Sequence, residues 1–418
     1  MKTNIRLLIV MIFIVPISIG QGLIFDQEAY DDLEKSDPTE EMGFSSSYLP
    51  KKVSYRKYSP AIGNQGNTAT CVGWSVAYAQ LTTQQNIRMG ITNYYQRTAR
   101  AMDPNFLYAF IKNSSDSWCE KGSLMSDAMY ILKNVGCKPG LARPWFYCNT
   151  TIKKDDISLS LASPYVISDY MPINITVENV KYFLNKGFPI SAGFVTNNSF
   201  QSDLTVKTGK WTLSGSLKNA SGHAMCVIGY DDNKYGGSFE VMNSYSTEFG
   251  DEGFIWISYS DFMKCVREAW VIETDGFNSN SYCLFGNCST NYSIYKTNDG
   301  SYYEGIIQNE YPNLYGTKYS SKGDFYIGGW QNGLINGSGL VYNVEKRKYY
   351  LIKSKLGKII SSESMGFATS QESKDIRNVF SKMSSKIPGT LVDSDSQEYE
   401  DFIDNFEEQE VPLTIMKE

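Results

Sequence analysis

Histidine is almost absent from this sequence. The 418 residues include a single histidine, His223. Because imidazole is the usual nitrogen ligand of zinc and copper, this scarcity excludes a histidine-rich metal site. Any acid–base chemistry that needs an imidazole must use this one residue. We therefore expect neither a metal nor another cofactor.

Concentrated positive charge and long apolar runs are also lacking. The chain has 39 Lys and Arg against 45 Asp and Glu, and its net charge is −6, with no basic block. Nucleic-acid binding needs a basic surface, so nucleic acid is excluded as the main partner. The one long apolar run, residues 7–19, is shorter than the roughly 20 residues that span a bilayer.

The N-terminus has the pattern of a secretory signal. Lys2 and Arg6 precede the apolar run, and small residues follow at 18–20. This order predicts a signal peptide over residues 1–20, with cleavage before Gln21. The alternative is an uncleaved anchor. We expect a secreted protein, extracellular or in the cell envelope, with no membrane span in the mature chain.

Composition divides the rest of the chain into four parts. Residues 21–47 are an acidic, Ser-rich lead-in with no core of its own, and 48–278 form one mixed domain in which helices precede strands. That order favours an α+β domain built in two halves. Residues 279–345 are repetitive, and 346–418 form a charged, partly disordered segment. We predict helices over 71–89, 104–112, 123–134 and 177–185, and strands over 189–195, 224–230, 238–243, 253–258 and 269–273.

A Gly-rich loop leads into a predicted helix at Cys71. The helix dipole and the unpaired N–H groups of a helix N-terminus stabilise a thiolate. Gln65 lies six residues upstream, so its side-chain amide can reach the same place as the Cys71 N–H. Two such donors can stabilise an oxyanion.

Two later residues complete a catalytic arrangement. His223 begins a predicted apolar strand, and Asn243 ends another. The side-chain oxygen of an asparagine can accept the imidazole N–H that faces away from the sulfur. It thereby fixes the ring, which is the orienting role in a nucleophile–base–orienter triad.

The order Gln65, Cys71, His223, Asn243, with Gly and aromatic residues at 250–255, resembles the papain-like (C1-type) cysteine peptidases. The resemblance implies a two-lobed fold with a helical left lobe and a β-rich right lobe. It implies that Cys71 is the nucleophile, His223 the base and then the acid, and Asn243 the orienter, with Gln65 in the oxyanion hole. The implied reaction is hydrolysis of a peptide or protein substrate through a thioester acyl-enzyme.

Some positions depart from the family pattern. Thr68 stands where members commonly have a Cys, and Val72 and Tyr245 stand where they have Trp. The lead-in is too short for the inhibitory pro-helices of lysosomal relatives. Either a long propeptide does not control activation, or another segment blocks the cleft. The departures favour an alternative: a catalytically degenerate papain-like fold that binds partners through its cleft and repeats.

The loop at Gly122 and Ser123 allows two interpretations. It resembles the loop with which family members bind the extended substrate backbone. It is equally typical of an ordinary helix start with Ser123 as N-cap.

Residues 300–305 (GSYYEG) return as 323–328 (GDFYIG), followed by Asn332-Gly333. Asn-Gly between aromatic runs is a strong hairpin signal. The segment resembles MORN repeats, which implies a β-hairpin module and a protein or lipid partner. The alternative is a β-meander appended to the peptidase.

The eight cysteines can form disulfides in the oxidising compartment that export implies. We expect one bridge among Cys119, Cys137 and Cys148, and a small loop closed by Cys283 and Cys288. Cys226 alternates with strand residues and is expected to be buried and free.

Overall fold

The structure is a computed structural model. It describes residues 21–41, 49–139, 162, 165–274, 283–287, 290–296, 300–322, 324–343, 346 and 348–365. The predicted signal peptide and the acidic tail after residue 365 lie outside the described residues. No helix in the described part of the chain has the length and apolarity needed to cross a bilayer.

The first half of the mixed domain, predicted over residues 48–278, is built around one long helix. It starts as Cys71–Gly73, continues as a π-helical stretch, Trp74–Leu81, and ends as Thr82–Met89. The predicted helix over 71–89 is confirmed in extent, and the π-helical turn is the difference. The backbone N–H of Thr82 donates to the carbonyl of Ala77, five residues back, which is the π-helical hydrogen-bond pattern.

Shorter helices surround this long helix. Asp103 begins one of them, since its side chain accepts from the Asn105 N–H and proline occupies the first turn. Besides the long helix, the α-helices described in the mixed domain and its lead-in are Gln27–Asp31, Pro38–Glu41, Tyr94–Ala99, Pro104–Ile111, Met125–Asn134, Val177–Asn185, Asp203–Thr208 and Tyr259–Cys265.

The second half is a sheet of eight described strands. The strands are β1 Lys52–Ser54, β2 Asp169–Pro172, β3 Ile190–Thr196, β4 Lys210–Trp211, β5 Ser221–Asp231, β6 Ser238–Met242, β7 Phe254–Ser258 and β8 Val266–Glu273. Their order in the sheet is β2-β8-β3-β5-β6-β7-β4, with β1 paired to β5, and all pairs except β4–β7 are antiparallel. One face of the sheet packs against the helical half.

The lead-in is ordered rather than independent of the core. Tyr30, on the helix Gln27–Asp31, is buried. Its hydroxyl donates to the carbonyl of Ile173 at 3.2 Å and accepts from the N–H of Ala269 at 3.1 Å. Tyr30 thus anchors the helix Gln27–Asp31 to the sheet, so this part of the lead-in packs on the main domain rather than on a core of its own.

The C-terminal segment forms a second sheet of eight described strands in chain order, all antiparallel. Asn332 and Gly333 both have positive φ, 48° and 82°, and form the expected two-residue hairpin turn. Two of its strands lie within residues 346–418, the segment predicted to be charged and partly disordered. The side chains of Leu351 and Ile352 are buried there, which stabilises these strands. The strands are β9 Cys283–Asn287, β10 Thr290–Lys296, β11 Tyr302–Gln308, β12 Tyr311–Tyr319, β13 Phe325–Gln331, β14 Leu334–Asn343, β15 Lys348–Lys355 and β16 Lys358–Met365.

A buried ion pair fixes this second sheet to the helical half. Arg100 Nη2 lies 3.0 Å from Glu304 Oε2, and both side chains are almost fully buried. The hydroxyls of Tyr165 and Tyr319 donate to the same carboxylate at 2.9 Å and 3.2 Å. The sheet is therefore a packed part of the molecule.

Candidate active site

Cys71 is the first residue of the long helix and has no exposed surface. Burial raises the pKa of its thiol above the ordinary value, and backbone hydrogen bonds from Ala224 and Gly22 oppose that rise. Ala224 follows His223 on β5, so the sulfur lies against the strand that carries the histidine.

His223 and Asn243 form a hydrogen-bonded pair. The His223 Nε2 lies 2.9 Å from Asn243 Oδ1. An amide oxygen only accepts, so Nε2 carries the proton and Nδ1 keeps its lone pair. Nδ1 is buried and has no hydrogen-bond partner among the described residues. Burial lowers the pKa of His223 to about 4, although the hydrogen bond with Asn243 raises it.

Tyr245 stacks on the imidazole. The two ring centroids are 4.9 Å apart with an interplanar angle of 23°. Phe200 packs against both rings, and Phe249 packs against Phe200 and Tyr245. Tyr245 therefore covers one face of the histidine ring.

Gln65 is held by three contacts to neighbouring loops. Its Oε1 accepts from the Ser244 hydroxyl at 2.6 Å, and its Nε2 donates to the Thr68 carbonyl at 2.7 Å. Its backbone N–H donates to the Ser244 carbonyl at 2.9 Å. The loop before Cys71 is thus tied to the residue after Asn243, which brings all four predicted site residues to one region.

The cleft is filled by the chain's own N-terminal segment, residues 22–25, which we call the plug. Its residue 24 N–H donates to the Ser123 carbonyl at 3.0 Å, and the Ser123 N–H donates to the residue 22 carbonyl at 2.9 Å, in a parallel arrangement. On the opposite side, the Leu23 N–H donates to the carbonyl of Gly222 at 3.1 Å. The plug is therefore hydrogen-bonded to both walls of the cleft.

These contacts decide between the two interpretations of Ser123. The helix begins at Met125, and its N-cap is Leu124, without a side-chain cap hydrogen bond. The N-cap interpretation is wrong, because the backbone of Ser123 pairs instead with an extended segment.

Two glycines allow the plug to lie this deep. A Cβ on Gly22 would lie 2.1 Å from the carbonyl oxygen of Ala69. A Cβ on Gly122 would lie 2.1 Å from the carbonyl oxygen of Gly22, and the φ of Gly122 is +77°. The backbone of Gly22 is therefore in close contact with the backbone of Ala69 on one side and of Gly122 on the other. Ala69 lies two residues before Cys71.

The described cysteines bear on the disulfide predictions. Cys226 is buried and free, as predicted, and Cys137 also has a free thiol. A bridge in the helical half therefore cannot include Cys137, and Cys148 lies outside the described residues. Cys288 also lies outside them, so its bridge to Cys283 stays a prediction.

Sequence reasoning missed the plug and one acidic residue, Glu268, beside it. The signal for the plug was Gly22-Leu23 directly after the predicted cleavage site, since glycine permits close backbone contact. Glu268 carried no local signal, because it enters the cleft only through strand pairing with β3.

A buried cysteine at a helix start, a histidine on the facing strand and an asparagine that orients it define a cysteine peptidase site in an α+β fold of two halves. A family model for papain family cysteine proteases matches residues 49–273, more than half of the chain. The chain belongs to this family, whose class is that of cysteine-type peptidases, which are hydrolases.

Individual proteins show the same likeness. Xylellain, a cysteine protease from Xylella fastidiosa, has a TM-score of 0.50 at 21% identity, covering 62% of this chain and 97% of that one. The predicted papain-like fold is thus confirmed. The digestive procathepsin L2 proteinase of Tenebrio molitor larval midgut has a TM-score of 0.46 at 16% identity, covering 61% and 78%. An uncharacterized peptidase C1-like protein of Acanthamoeba polyphaga mimivirus is 35% identical over 104 residues, or 24% of this chain. The chain spans about a third, 33%, of that curated relative.

Proposed function

We propose that this protein hydrolyses peptide bonds with Cys71 as nucleophile, His223 as general base and then acid, and Asn243 as orienter. The observation that carries the proposal is the hydrogen bond between Nε2 and Oδ1 at 2.9 Å, which leaves Nδ1 without a partner among the described residues. That lone pair takes the thiol proton when the sulfur attacks the carbonyl carbon. The imidazolium returns the proton to the leaving amine, and water then hydrolyses the thioester.

Gln65 and the backbone N–H of Cys71 serve as the oxyanion hole in this proposal. The Gln65 amide is held by Ser244 and Thr68, so it requires little reorganisation as charge develops. Removing one donor of this kind costs about 100- to 1,000-fold in kcat in serine peptidases.

The described arrangement is a latent state of this enzyme. Cys71 and His223 have no exposed surface, and the plug occupies the place where a substrate backbone would pair with Ser123. We infer that displacing the plug opens the site. Export fits this arrangement, because cleavage of a signal peptide before Gln21 would leave a chain that starts one residue before the plug.

The second sheet serves as a docking module for a protein or lipid partner in this proposal, in the manner of the MORN repeats that it resembles. Three apolar side chains in its hairpin turns are exposed: Tyr311, Leu334 and Leu356. These turns lie at the same end of the meander, so the side chains are available together. Exposed apolar side chains grouped at one end of the sheet support a role in partner binding.

The experiment compares iodoacetamide labelling of Cys71 in the wild type and in Gly22→Ala between about pH 4 and pH 9. A methyl group at residue 22 cannot fit beside Ala69, so the plug is displaced and labelling accelerates at least about tenfold. Leu33→Ala, an exposed position in the same N-terminal segment, is the matched control and labels like the wild type. Cys71→Ala identifies the labelled site.

A second set of measurements tests the chemistry. In the Gly22→Ala background, His223→Ala should abolish fast labelling below the free thiol pKa of about 8.5. The open enzyme should also hydrolyse members of a peptide library. If Cys71 labels only near that pH and no peptide is cleaved, the peptidase proposal fails. The alternative, a binding protein with a degenerate site, is then favoured.

A further inference from the structure

Asp116 is a buried carboxylate that the catalytic proposal does not use. The residue is 2% exposed and lies in the loop that leads to Ser123. Burial raises the pKa of this carboxyl, but hydrogen bonds from the N–H of Glu120, the hydroxyl of Tyr108 and the N–H of Lys121 outweigh burial and lower the pKa. The side chain is therefore ionised at neutral pH.

Three donors bind the two carboxylate oxygens of Asp116. Oδ1 accepts from the N–H of Glu120 at 3.0 Å, and Oδ2 accepts from the N–H of Lys121 at 3.3 Å. The Tyr108 hydroxyl also donates to Oδ2, at 2.9 Å. Because Tyr108 is buried on the helix Pro104–Ile111, the carboxylate joins two consecutive N–H groups of the loop to a fixed point of the helical half.

The loop needs this support because two of its residues have a left-handed backbone. Cys119 has a φ of +56°, which residues with a Cβ rarely adopt, and Gly122 has a φ of +77°. Glu120 and Lys121 lie between them, and theirs are the two N–H groups that Asp116 accepts. The carboxylate therefore holds the loop at the turn between its left-handed residues.

The end of this loop binds an extended backbone. Ser123 directly follows Gly122, and its N–H donates to the carbonyl of Gly22 at 2.9 Å. Its carbonyl accepts from the N–H of Ile24 at 3.0 Å. Both bonds use the backbone of Ser123, so they depend on the orientation of its peptide groups. A change in the preceding turn would misalign both of them.

We propose that Asp116 is a positioning residue. Its carboxylate, acting through the N–H groups of Glu120 and Lys121, holds Ser123 in the orientation that pairs with the backbone of an extended peptide. The plug uses this orientation in the latent state, and a substrate uses it once the plug is displaced. The part that concerns the substrate rests on the proposed peptidase function, whereas the part that concerns the plug does not.

The test introduces Asp116→Asn into the full chain, in the wild type and in Gly22→Ala. Asparagine keeps the size of the side chain and one oxygen, and its NH₂ group cannot accept a hydrogen bond. Tyr108→Phe is a milder variant, which removes one donor and keeps both loop contacts. Glu120→Gln is the matched control, because its side chain is exposed and only its backbone N–H binds Asp116.

Iodoacetamide labelling of Cys71 in the wild-type background measures retention of the plug. Asp116→Asn should accelerate labelling at least about tenfold and Tyr108→Phe about threefold, because a misoriented Ser123 holds the plug less tightly. Labelling of the buried thiol of Cys137 should stay unchanged. That thiol separates release of the plug from a general loosening of the helical half.

Two probes are compared in the Gly22→Ala background. For a peptide with several residues before the scissile bond, Asp116→Asn should lower kcat/KM at least about tenfold, mainly through KM, because pairing with Ser123 is weakened. Iodoacetamide does not reach Ser123, so labelling of Cys71 should stay within about twofold. Glu120→Gln should match its parent in both measurements.

Unchanged Cys71 labelling in the wild-type background, together with unchanged kcat/KM, overturns the inference and leaves the peptidase proposal standing. Equal acceleration of Cys71 and Cys137 labelling would mean that Asp116 only supports the fold, which also overturns it. If Asp116→Asn does not fold, Tyr108→Phe decides, and wild-type labelling in that variant overturns the inference. Faster labelling of Cys71 alone, with no peptide hydrolysed by Gly22→Ala, supports the positioning of the plug and overturns the peptidase proposal.

Discussion

Ionisation of Glu268 should make the stability of the folded chain depend on pH. Burial raises the pKa of this carboxyl from 4.5 to about 7, although the hydrogen bond from Trp270 lowers it. A rise of this size corresponds to about 3 kcal/mol at 1.36 kcal/mol per pH unit. Because the side chain is almost fully buried, little solvent screening reduces that value.

The sign follows from proton binding. Between about pH 4.5 and pH 7 the folded chain holds a proton on Glu268 that the unfolded chain has released. The associated stability is fully present below the unfolded pKa and is lost as the pH rises through the folded pKa. Glu268→Gln cannot ionise, so the variant should gain on the wild type by about 3 kcal/mol between pH 4.5 and pH 8.

Urea unfolding of the wild type and of Glu268→Gln at several pH values measures this difference. Other carboxylates titrate equally in both proteins, so they cancel in the difference in the free energy of unfolding. Glu273→Gln, at the exposed end of the strand, should show no such slope. A difference between Glu268→Gln and the wild type that stays within about 0.5 kcal/mol over the whole range would refute the reasoning.

Further predictions concern the second sheet, the ring stack and the latent state. Arg100→Met should lower the free energy of unfolding by about 3–5 kcal/mol, because it leaves Glu304 buried without its cation. Adding Glu304→Gln should recover part of that loss, and strictly additive losses in urea unfolding would contradict the coupling. In the Gly22→Ala background, Tyr245→Phe should keep kcat within about twofold of the Gly22→Ala value, whereas Tyr245→Ala should lower it about tenfold or more, because the ring stacks on the imidazole. Equal kcat values for the two would contradict this role. In Gly22→Ala, displacement of the plug should reduce the burial that raises the pKa of Cys71, so half-maximal labelling should move to lower pH. An unchanged labelling profile would mean that the plug does not set this pKa.

Much of the fold could be predicted because its signals are local. The helix Val177–Asn185 has the expected bounds, since Thr176 caps its start and Gly187 follows its end. The strand that carries His223 was predicted to begin at residue 224, whereas its pairing with β3 extends back to Ser221. The first residues of this strand are not apolar, so an apolar pattern does not mark them. Their strand conformation comes from backbone pairing with β3, which the pattern of one strand alone does not predict.

The identities of the candidate site residues could be predicted from the sequence, whereas their burial and the resulting pKa shifts could not. The sequence predicted a stabilised thiolate for the cysteine at this helix start, whereas burial raises the pKa of the Cys71 thiol. The plug itself has no periodicity, since it is an extended segment held by backbone contacts to Ser123 and Gly222. Contacts between two backbone segments do not produce a periodic side-chain pattern in the sequence. The sequence feature that accompanies them here is glycine at the point of closest contact.

The ion pair beneath the second sheet constrains how the protein can be divided. A recombinant boundary after residue 274 would follow the matched family region, yet it would remove the partner of Arg100. The helical half would also lose the sheet residues that belong to the same buried apolar cluster, among them Ile294, Tyr302 and Phe325. The shortened protein would tend to aggregate. The matched family region and the second sheet therefore have to be expressed together for Arg100 to keep its carboxylate partner.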